Sequence, residues 1–186
     1  TCTKKHSPNV RLAAIDIGSN AARLLITDVI SGMQDIPEFI KVVLVRVPLR
    51  LGFDVFDKGE IPTNKADKIL KTIMAYKLLL EVYDVKHVRV CATSAMRDAV
   101  NAAEIIKRIK AETGIGINII SGQEEASLIY ENHIAENMNK EESYLYIDVG
   151  GGSTELTFFS DGKMIFKESF NIGTIRLLKN QVSEAS

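Results

Sequence analysis

Apolar and polar positions follow the same pattern in two stretches of this chain. Short β-branched or Leu-rich segments, separated by turn residues, predict one three-strand meander near the N-terminus and a second near the C-terminus. The predicted strands are Leu12 to Ile17, Arg23 to Val29 and Phe39 to Val47 in the first meander, and Tyr144 to Asp148, Glu155 to Phe159 and Lys163 to Phe170 in the second. The pattern therefore indicates an internal duplication.

The residues between the two meanders alternate between helix and strand patterns. Apolar residues recur at helical spacing from Thr63 to Val82, after Pro62, so this segment is predicted to form a long amphipathic helix. The elements predicted after it are strand Val88 to Ala92, helix Ala99 to Glu112, strand Ile115 to Ile119 and helix Gln123 to about Glu136. A meander followed by β-α-β-α predicts an α/β fold, a mixed sheet whose parallel strands are covered by helices.

The duplication also suggests how the chain divides into domains. We assign residues 1–140 to a first lobe and residues 141–186 to the start of a second lobe, with the boundary in the polar stretch Glu136 to Ser143. The second meander is followed only by a short helical pattern over Thr174 to Val182. We therefore expect the second lobe to be truncated, because its strands would lack the usual covering helices.

The strongest chemical signal lies where the first strand of each meander ends. Ile15 to Asn20 reads Ile-Asp-Ile-Gly-Ser-Asn, and Ile147 to Glu155 reads Ile-Asp-Val-Gly-Gly-Gly-Ser-Thr-Glu. An Asp followed by a small-residue turn and a second strand can point backbone N–H groups at a phosphate. The first copy alone also fits an ordinary tight turn. Three consecutive glycines, however, weaken packing unless a ligand or another backbone approaches closely, so the two copies together favour a phosphate clamp.

Carboxylates stand beside both turns. A polyphosphate ligand brings Mg²⁺, a hard ion that proteins bind through one or two carboxylates, water and phosphate oxygens. Asp16, Asp148 and Glu155 are the candidate metal ligands. Glu155 follows the glycine turn and can face the same cleft as Asp148, although a solvated Glu on a strand face is the alternative.

Two predicted helix starts add polar groups whose roles the local pattern leaves open. Glu124 and Glu125 fall in a first helical turn, where acidic residues complement the helix dipole without any function, and capping is the favoured local interpretation. Arg97 follows a strand and small hydroxyl residues, so it either pairs with phosphate or stays exposed after a helix cap. Arg23 interrupts the strand directly after the first turn.

Composition narrows the class of protein. An apolar content of 46% is ordinary for a packed core, and a net charge of −1 argues against a polycationic surface for nucleic acid or membrane. No apolar run approaches the ~20 residues needed to span a bilayer, and Thr1 to Asn9 lacks the apolar stretch of a signal peptide. The two cysteines suggest neither disulfides nor zinc. We expect a cytoplasmic protein with a small, chelated phosphate ligand.

Five ordered motifs resemble those of the exopolyphosphatase and guanosine pentaphosphate phosphohydrolase family. They are Ala14-Ile-Asp-Ile-Gly-Ser-Asn20, Arg50-Leu-Gly52, Ala92-Thr-Ser-Ala-Met-Arg97, Ile120-Ser-Gly-Gln-Glu-Glu-Ala126 with Ile129-Tyr130, and Ile147-Asp-Val-Gly-Gly-Gly-Ser-Thr-Glu155. The family belongs to the actin, sugar-kinase and heat-shock-chaperone superfamily. The resemblance implies a ribonuclease-H-like lobe with a mixed five-stranded sheet, followed by the beginning of a second similar lobe.

The resemblance also implies an activity, the Mg²⁺-dependent hydrolysis of a terminal phosphoanhydride in inorganic polyphosphate or guanosine pentaphosphate. Glu125 matches the residue that activates water, which reverses its local interpretation as a cap. Asp148 and Glu155 match the acidic groups that organise metal and water, and Arg97, with Arg23 less closely, matches a phosphate-binding Arg. The two phosphate loops match at Gly18, Ser19 and Asn20, and at Gly150, Gly151, Gly152 and Ser153.

Two departures from the family pattern leave substrate preference open. Ser127 stands where the family usually has Arg, and Leu51 to Asp54 replaces a more polar loop. An ATP-using kinase or chaperone of the same superfamily is one alternative function, against which the Glu-Glu-Ala and Ala-Thr-Ser motifs argue. A phosphate or alarmone sensor without turnover is the other. The sequence permits a homodimer and leaves open whether this segment is active by itself.

Overall fold

The computed structural model describes residues 10–31, 37–129, 139, 141–180 and 182. The predicted elements occur in the predicted order, and two short helices, Gly52–Lys58 and Ser94–Asp98, are added to them. The strands are β1 Val10–Ile17, β2 Ala21–Ser31, β3 Pro37–Pro48, β4 His87–Ala92, β5 Asn118–Ile119, β6 Tyr144–Val149, β7 Thr154–Ser160 and β8 Lys163–Phe170. The helices are α1 Gly52–Lys58, α2 Thr63–Val82, α3 Ser94–Asp98, α4 Ala102–Thr113, α5 Gly122–Ile129 and α6 Thr174–Leu178.

The first five strands form one sheet in the order β3-β2-β1-β4-β5. The meander pairs are antiparallel, and β4 and β5 add to β1 in parallel. This arrangement confirms the predicted mixed five-stranded sheet of a ribonuclease-H-like lobe. Because β1 lies at the centre of the sheet, the turn that follows it opens beside the end of the parallel strand β4.

The core of this lobe forms where the period-2 pattern of the strands meets the helical pattern of α2. Ile15 and Ile17 of β1 are fully buried, as are Ile69 and Ile73 of α2. Burying an aliphatic side chain of this size contributes roughly 2 kcal/mol. The hydroxyl of Tyr76 ties the helix to the sheet by donating to the Ala22 carbonyl at 3.0 Å.

The structure corrects the start of the predicted helix Ala99 to Glu112, because α4 begins only at Ala102 and a separate short helix, α3, precedes it. Ala99 between them has an extended backbone. The amide of Asn101 bonds both the N–H and the carbonyl of Ile61, at 3.0 and 2.8 Å, and the Val100 N–H donates to the Gly59 carbonyl. These long-range bonds draw residues 99–101 out of the helix.

Other element boundaries also differ from the prediction. The segment from Leu51 to Asp54, predicted as a loop, enters helix α1, which ends at Gly59 with a left-handed φ of 75°. Strand β5 is reduced to two residues, and α6 ends at Leu178 rather than Val182. Helix α5 is described as far as Ile129, so its predicted extension to Glu136 lies outside the described residues.

The second meander forms a separate antiparallel sheet in the order β6-β7-β8. Its α6 helix reaches back to the first lobe, where Ile175 is buried in the same hydrophobic core. The face of β6 opposite to Asp148 exposes the apolar side chains of Leu145, Ile147 and Val149. The predicted division near residue 140 stays a prediction, because most of the connecting segment lies outside the described ranges. None of the described helices is long and apolar enough to cross a membrane.

Candidate active site

The turns after β1 and β6 have the same hydrogen-bonded geometry. In the first turn the Gly18 N–H donates to the Ala21 carbonyl at 3.0 Å, and in the second the Gly150 N–H donates to the Ser153 carbonyl at 2.8 Å. Each bond spans three residues and closes a tight hairpin. The sequence duplication is therefore also a duplication of local backbone structure.

The two turns lie against each other. A Cβ atom added to Gly151 would lie 3.2 Å from the Cβ of Ser19, and one added to Gly152 would lie 2.5 Å from the Oγ of Ser94. Ser94 in turn bonds Ser19, with 2.7 Å between their hydroxyl oxygens. The glycines are required because side chains of the first lobe approach the second turn closely. The structure thus brings the two predicted phosphate loops together.

The carbonyl groups of both turns accept hydrogen bonds from residues at or just before the start of a short helix. In the first turn the Ser19 carbonyl accepts from the Gly52 N–H at 2.8 Å and the Asn20 carbonyl from the Arg50 N–H at 2.7 Å. In the second turn the Gly151 carbonyl accepts from the Ile175 N–H at 2.9 Å.

In the described part of the chain, the two central N–H groups of each turn lack such partners. Within the described ranges, the N–H groups of Ser19, Asn20, Gly151 and Gly152 make no hydrogen bond. Backbone donors arranged in this way form a concavity suited to an anion.

The carboxylates stand at matching positions beside the two turns. Asp16 is paired in register with Arg23 across β1 and β2, and Asp148 with Glu155 across β6 and β7. Residues directly opposite in an antiparallel pair project from the same face, so each pair shares one side of its hairpin. The first pair includes a cation, with 3.9 Å between Asp16 and Arg23, and Arg23 is exposed. The second pair is two acids.

Glu155 is the most deeply buried of these acids. Its exposed fraction is 3%, and one of its carboxylate oxygens accepts a hydrogen bond from the Ser169 hydroxyl at 2.9 Å. Ser169 lies on β8 opposite Glu155 and packs against Gly122, where an added Cβ would lie 2.5 Å from its Oγ. The second sheet therefore packs directly on the start of α5, the helix that carries Glu125.

Glu125 is a half-buried acid in a negative environment. Burial, followed by the charges of Glu155 and Asp16, raises the pKa of Glu125 from 4.5 to about 7. Arg97 opposes this shift, while its guanidinium donates to the Ile120 carbonyl at 2.9 Å. One carboxylate oxygen of Glu125, Oε2, is buried and has no hydrogen-bond partner. Burial also raises the pKa of Asp16, against the lowering effect of Arg23.

Glu124, by contrast, is an exposed capping residue. Its carboxylate accepts from the Ser121 N–H at 2.9 Å, and the Ser121 hydroxyl accepts from the Glu124 N–H at 3.1 Å. This reciprocal pair is a capping box, and it lowers the pKa of Glu124. Capping, the local interpretation of both acids, therefore belongs to Glu124, and Glu125 lies among the other acids.

Lys167 of β8 occupies the neighbourhood where the family resemblance places an arginine. Its ammonium group contacts the Ser127 hydroxyl and the Gln123 carbonyl on α5. A cation from the second sheet thus stands beside Ser127. Neither Lys167 nor Ser169 carries a local sequence signal, because both reach α5 only through the packing of the two sheets.

The donor set suits a hard cation shared with phosphate rather than a closed protein site. Among the described residues, no group of three or more His, Cys, Asp or Glu side chains could hold a metal ion by itself. Asp16, Asp148 and Glu155 nevertheless act electrostatically on Glu125, whose Oε2 has no partner. Mg²⁺ needs only one or two such carboxylates when water and phosphate supply the other oxygens.

Comparison with known proteins identifies the relatives of this chain. Residues 30–185 match the Ppx/GppA phosphatase family. The chain is 33% identical over 176 residues to the bifunctional 3-dehydroquinate synthase/phosphatase of Fusobacterium nucleatum, covering 93% of this chain and 26% of that protein. It is 31% identical over 178 residues to exopolyphosphatase 2 of Mycobacterium tuberculosis, covering 90% of this chain and 53% of that protein.

Solved structures of a Ppx/GppA family member and an exopolyphosphatase have folds similar to that of this chain. A Ppx/GppA family member from Aquifex aeolicus is 30% identical with a TM-score of 0.78, over 92% of this chain and 54% of that one. An exopolyphosphatase from Cytophaga hutchinsonii is 33% identical with a TM-score of 0.78, over 91% of this chain and 53% of that one. The chain spans between about a quarter and a half of the length of the curated relatives it matches.

Proposed function

The chain belongs to the Ppx/GppA phosphatase family, and we propose that its full-length parent protein hydrolyses the terminal phosphoanhydride bond of inorganic polyphosphate, releasing orthophosphate. The names of relatives such as exopolyphosphatase 2 of Mycobacterium tuberculosis support polyphosphate as the substrate. Guanosine pentaphosphate, whose terminal bond is chemically the same, is the second substrate to test.

The environment of Glu125 is the observation on which this proposal rests. A carboxylate with a pKa of about 7 and a buried, unpartnered oxygen is suited to accept a proton near neutral pH. The carboxylate stands within electrostatic reach of Asp16, Asp148 and Glu155, beside the two turns. A capping role leaves this burial unexplained, since Glu124 already caps the helix.

The mechanism assigns each group a separate task. The N–H groups of the two turns bind the oxygens of the terminal phosphate, and Arg97 and Arg23 balance its charge. Glu125 takes a proton from a water molecule as the water oxygen forms a bond to the terminal phosphorus. The bond from that phosphorus to the bridging oxygen breaks, and its electron pair leaves with the shortened polyphosphate. Orthophosphate is the second product.

Mg²⁺ is part of the proposal, and Asp148 and Glu155, with Asp16, are the residues that would hold it. When bound, the ion would neutralise charge on the phosphate oxygens. Burial raises the pKa values of Glu125 and Asp16, and the neighbouring acids raise them further, which supports a cation near this group of acids.

Phosphate release by the full-length parent tests the proposal. We expect orthophosphate from polyphosphate with Mg²⁺ and none with EDTA, and an acidic limb of kcat near pH 7 because Glu125 must be deprotonated to act as the base. The limb should move to lower pH as Mg²⁺ is raised. Binding of polyphosphate without phosphate release would indicate a sensor. Phosphate release from guanosine pentaphosphate alone would identify that nucleotide, rather than polyphosphate, as the substrate.

A further inference from the structure

The start of helix α6 holds every carbonyl of the second glycine turn. The Gly150 carbonyl accepts from the Thr174 N–H at 3.0 Å, and the Gly151 carbonyl accepts from the Ile175 N–H at 2.9 Å. The Gly152 carbonyl accepts from the Nε of Arg176 at 2.7 Å. Three consecutive peptide units of the turn are therefore oriented by three consecutive residues.

Fixing these carbonyls also fixes the directions of the N–H groups that could bind phosphate. A trans peptide unit is planar, and its C=O and N–H groups point in opposite directions. Holding the carbonyls of Gly150, Gly151 and Gly152 toward α6 therefore turns the N–H groups of Gly151, Gly152 and Ser153 away from α6. Glycine has little conformational preference of its own, so the turn depends on these external bonds to keep one conformation.

Arg176 provides the side-chain bond of this set, and its guanidinium is fixed on three sides. Its Nε donates to the Gly152 carbonyl, its Nη2 pairs with Asp98, and its plane lies over the Phe56 ring, with 4.2 Å from Cζ to the ring centroid. Asp98 and Phe56 belong to α3 and α1 of the first lobe. Only a planar fork with several donors makes all these contacts at once.

The first turn shows what is particular about Arg176. The Asn20 carbonyl, which corresponds in position to the Gly152 carbonyl, accepts from the backbone N–H groups of Leu49 and Arg50 at 3.0 and 2.7 Å. The first turn is thus held by the backbone of its own lobe. The second turn is held in part by a side chain that also bonds the other lobe, so a single substitution can release it.

We propose that Arg176 is a positioning residue that keeps the N–H groups of the second turn directed at the terminal phosphate and fixes that turn against Asp98 of the first lobe. This inference rests on the proposed function, because it concerns the same phosphate site. Arg176 acts through the Gly152 carbonyl and has no part in the proton transfer.

Binding of methylenediphosphonate, a non-hydrolysable diphosphate analogue, to the full-length parent tests this role by calorimetry. Losing a hydrogen bond from a charged donor should weaken affinity in R176A by about tenfold or more. R176K should bind as weakly as R176A, because an ammonium keeps the charge but not the fork. In turnover of polyphosphate, both variants should raise KM more than they lower kcat.

Arg11 is a matched control for this experiment. Its guanidinium is also bonded by a carboxylate and a backbone carbonyl, those of Asp28 and Tyr83. It lies on the same strand as the first turn but at the opposite end. R11A should lose comparable stability, yet change affinity for the diphosphonate by less than about twofold, because the side-chain hydrogen bonds of Arg11 among the described residues are with Asp28 and Tyr83, away from the turn.

The possible results separate the two proposals. Wild-type affinity in R176A or R176K, or an equal loss in R11A, would overturn the positioning role while leaving the proposed hydrolysis intact. If R176A does not fold, the affinity of R176K for the diphosphonate tests the positioning role by the same criterion. A wild-type protein that binds no diphosphonate would overturn both the positioning role and the phosphate clamp on which the proposed function depends.

Discussion

The hairpins β1–β2 and β6–β7 have the same backbone geometry at their turns but carry opposite charges at one equivalent position. Seven residues after Asp16 the first hairpin has Arg23, and seven residues after Asp148 the second has Glu155. Both residues pair in register with the Asp of their own hairpin. The first hairpin therefore balances its own acid, whereas the second presents two acids on one face.

This difference assigns different tasks to the two halves of the duplication. The hairpin with the Asp–Arg pair can approach a phosphate without strong repulsion, because Arg23 lies 3.9 Å from Asp16. The hairpin with two acids faces α5, where Glu125 adds a third. The N–H groups of both turns are proposed to bind phosphate. We expect Arg23 of the first hairpin to add to phosphate binding, and the acid pair of the second, with Asp16, to serve metal and water.

The largest expected effect is that of Glu125→Gln in the full-length parent. Loss of a general base should lower kcat for polyphosphate by ~10²-fold or more while leaving substrate binding nearly intact. Glu124→Gln is the control, because its carboxylate is engaged with Ser121 and is exposed. Should Glu124 prove the essential residue, the assignment of cap and base would be reversed.

Neutralising the differing residue of each hairpin separates the tasks of the two copies. Glu155→Gln should raise the Mg²⁺ concentration needed for half-maximal rate by ~10-fold, the usual effect of weakening a metal site. Arg23→Gln should raise KM for polyphosphate a few-fold and leave the Mg²⁺ requirement unchanged, because Arg23 is an exposed cation. Titration of each variant with Mg²⁺ and with polyphosphate would show whether the two effects instead coincide.

The smallest expected effect is a gain in stability. Burial raises the pKa of folded Glu125 to about 7 from 4.5, so the folded state favours the protonated acid. The stability that this proton contributes is present below pH 4.5 and is lost as pH rises toward 7. Without Mg²⁺, Glu125→Gln should therefore unfold a few degrees above wild type at pH 8 and at the wild-type temperature at pH 4. Equal midpoints at pH 8 in a thermal melt would contradict the burial of a charged carboxylate.

Local patterns in the sequence determine much of the fold and the position of the cleft. The helix from Thr63 to Val82 has the predicted bounds, since helical periodicity and Pro62 act within the segment itself. The Asp-and-glycine turns are likewise local, because small residues there permit a tight hairpin. The order of elements then brings both turns to one cleft.

Tertiary structure decides what depends on contacts between distant residues. The sequence places Glu124 and Glu125 in equivalent local settings, and only packing of α5 on the second sheet leaves one exposed and the other half-buried. The break between α3 and α4 depends on bonds from Asn101 to Ile61. The contacts of Arg176 with Gly152, Asp98 and Phe56 also join three separate segments. Periodicity and turn chemistry express short-range sterics, whereas burial and charge environment are properties of the assembled fold.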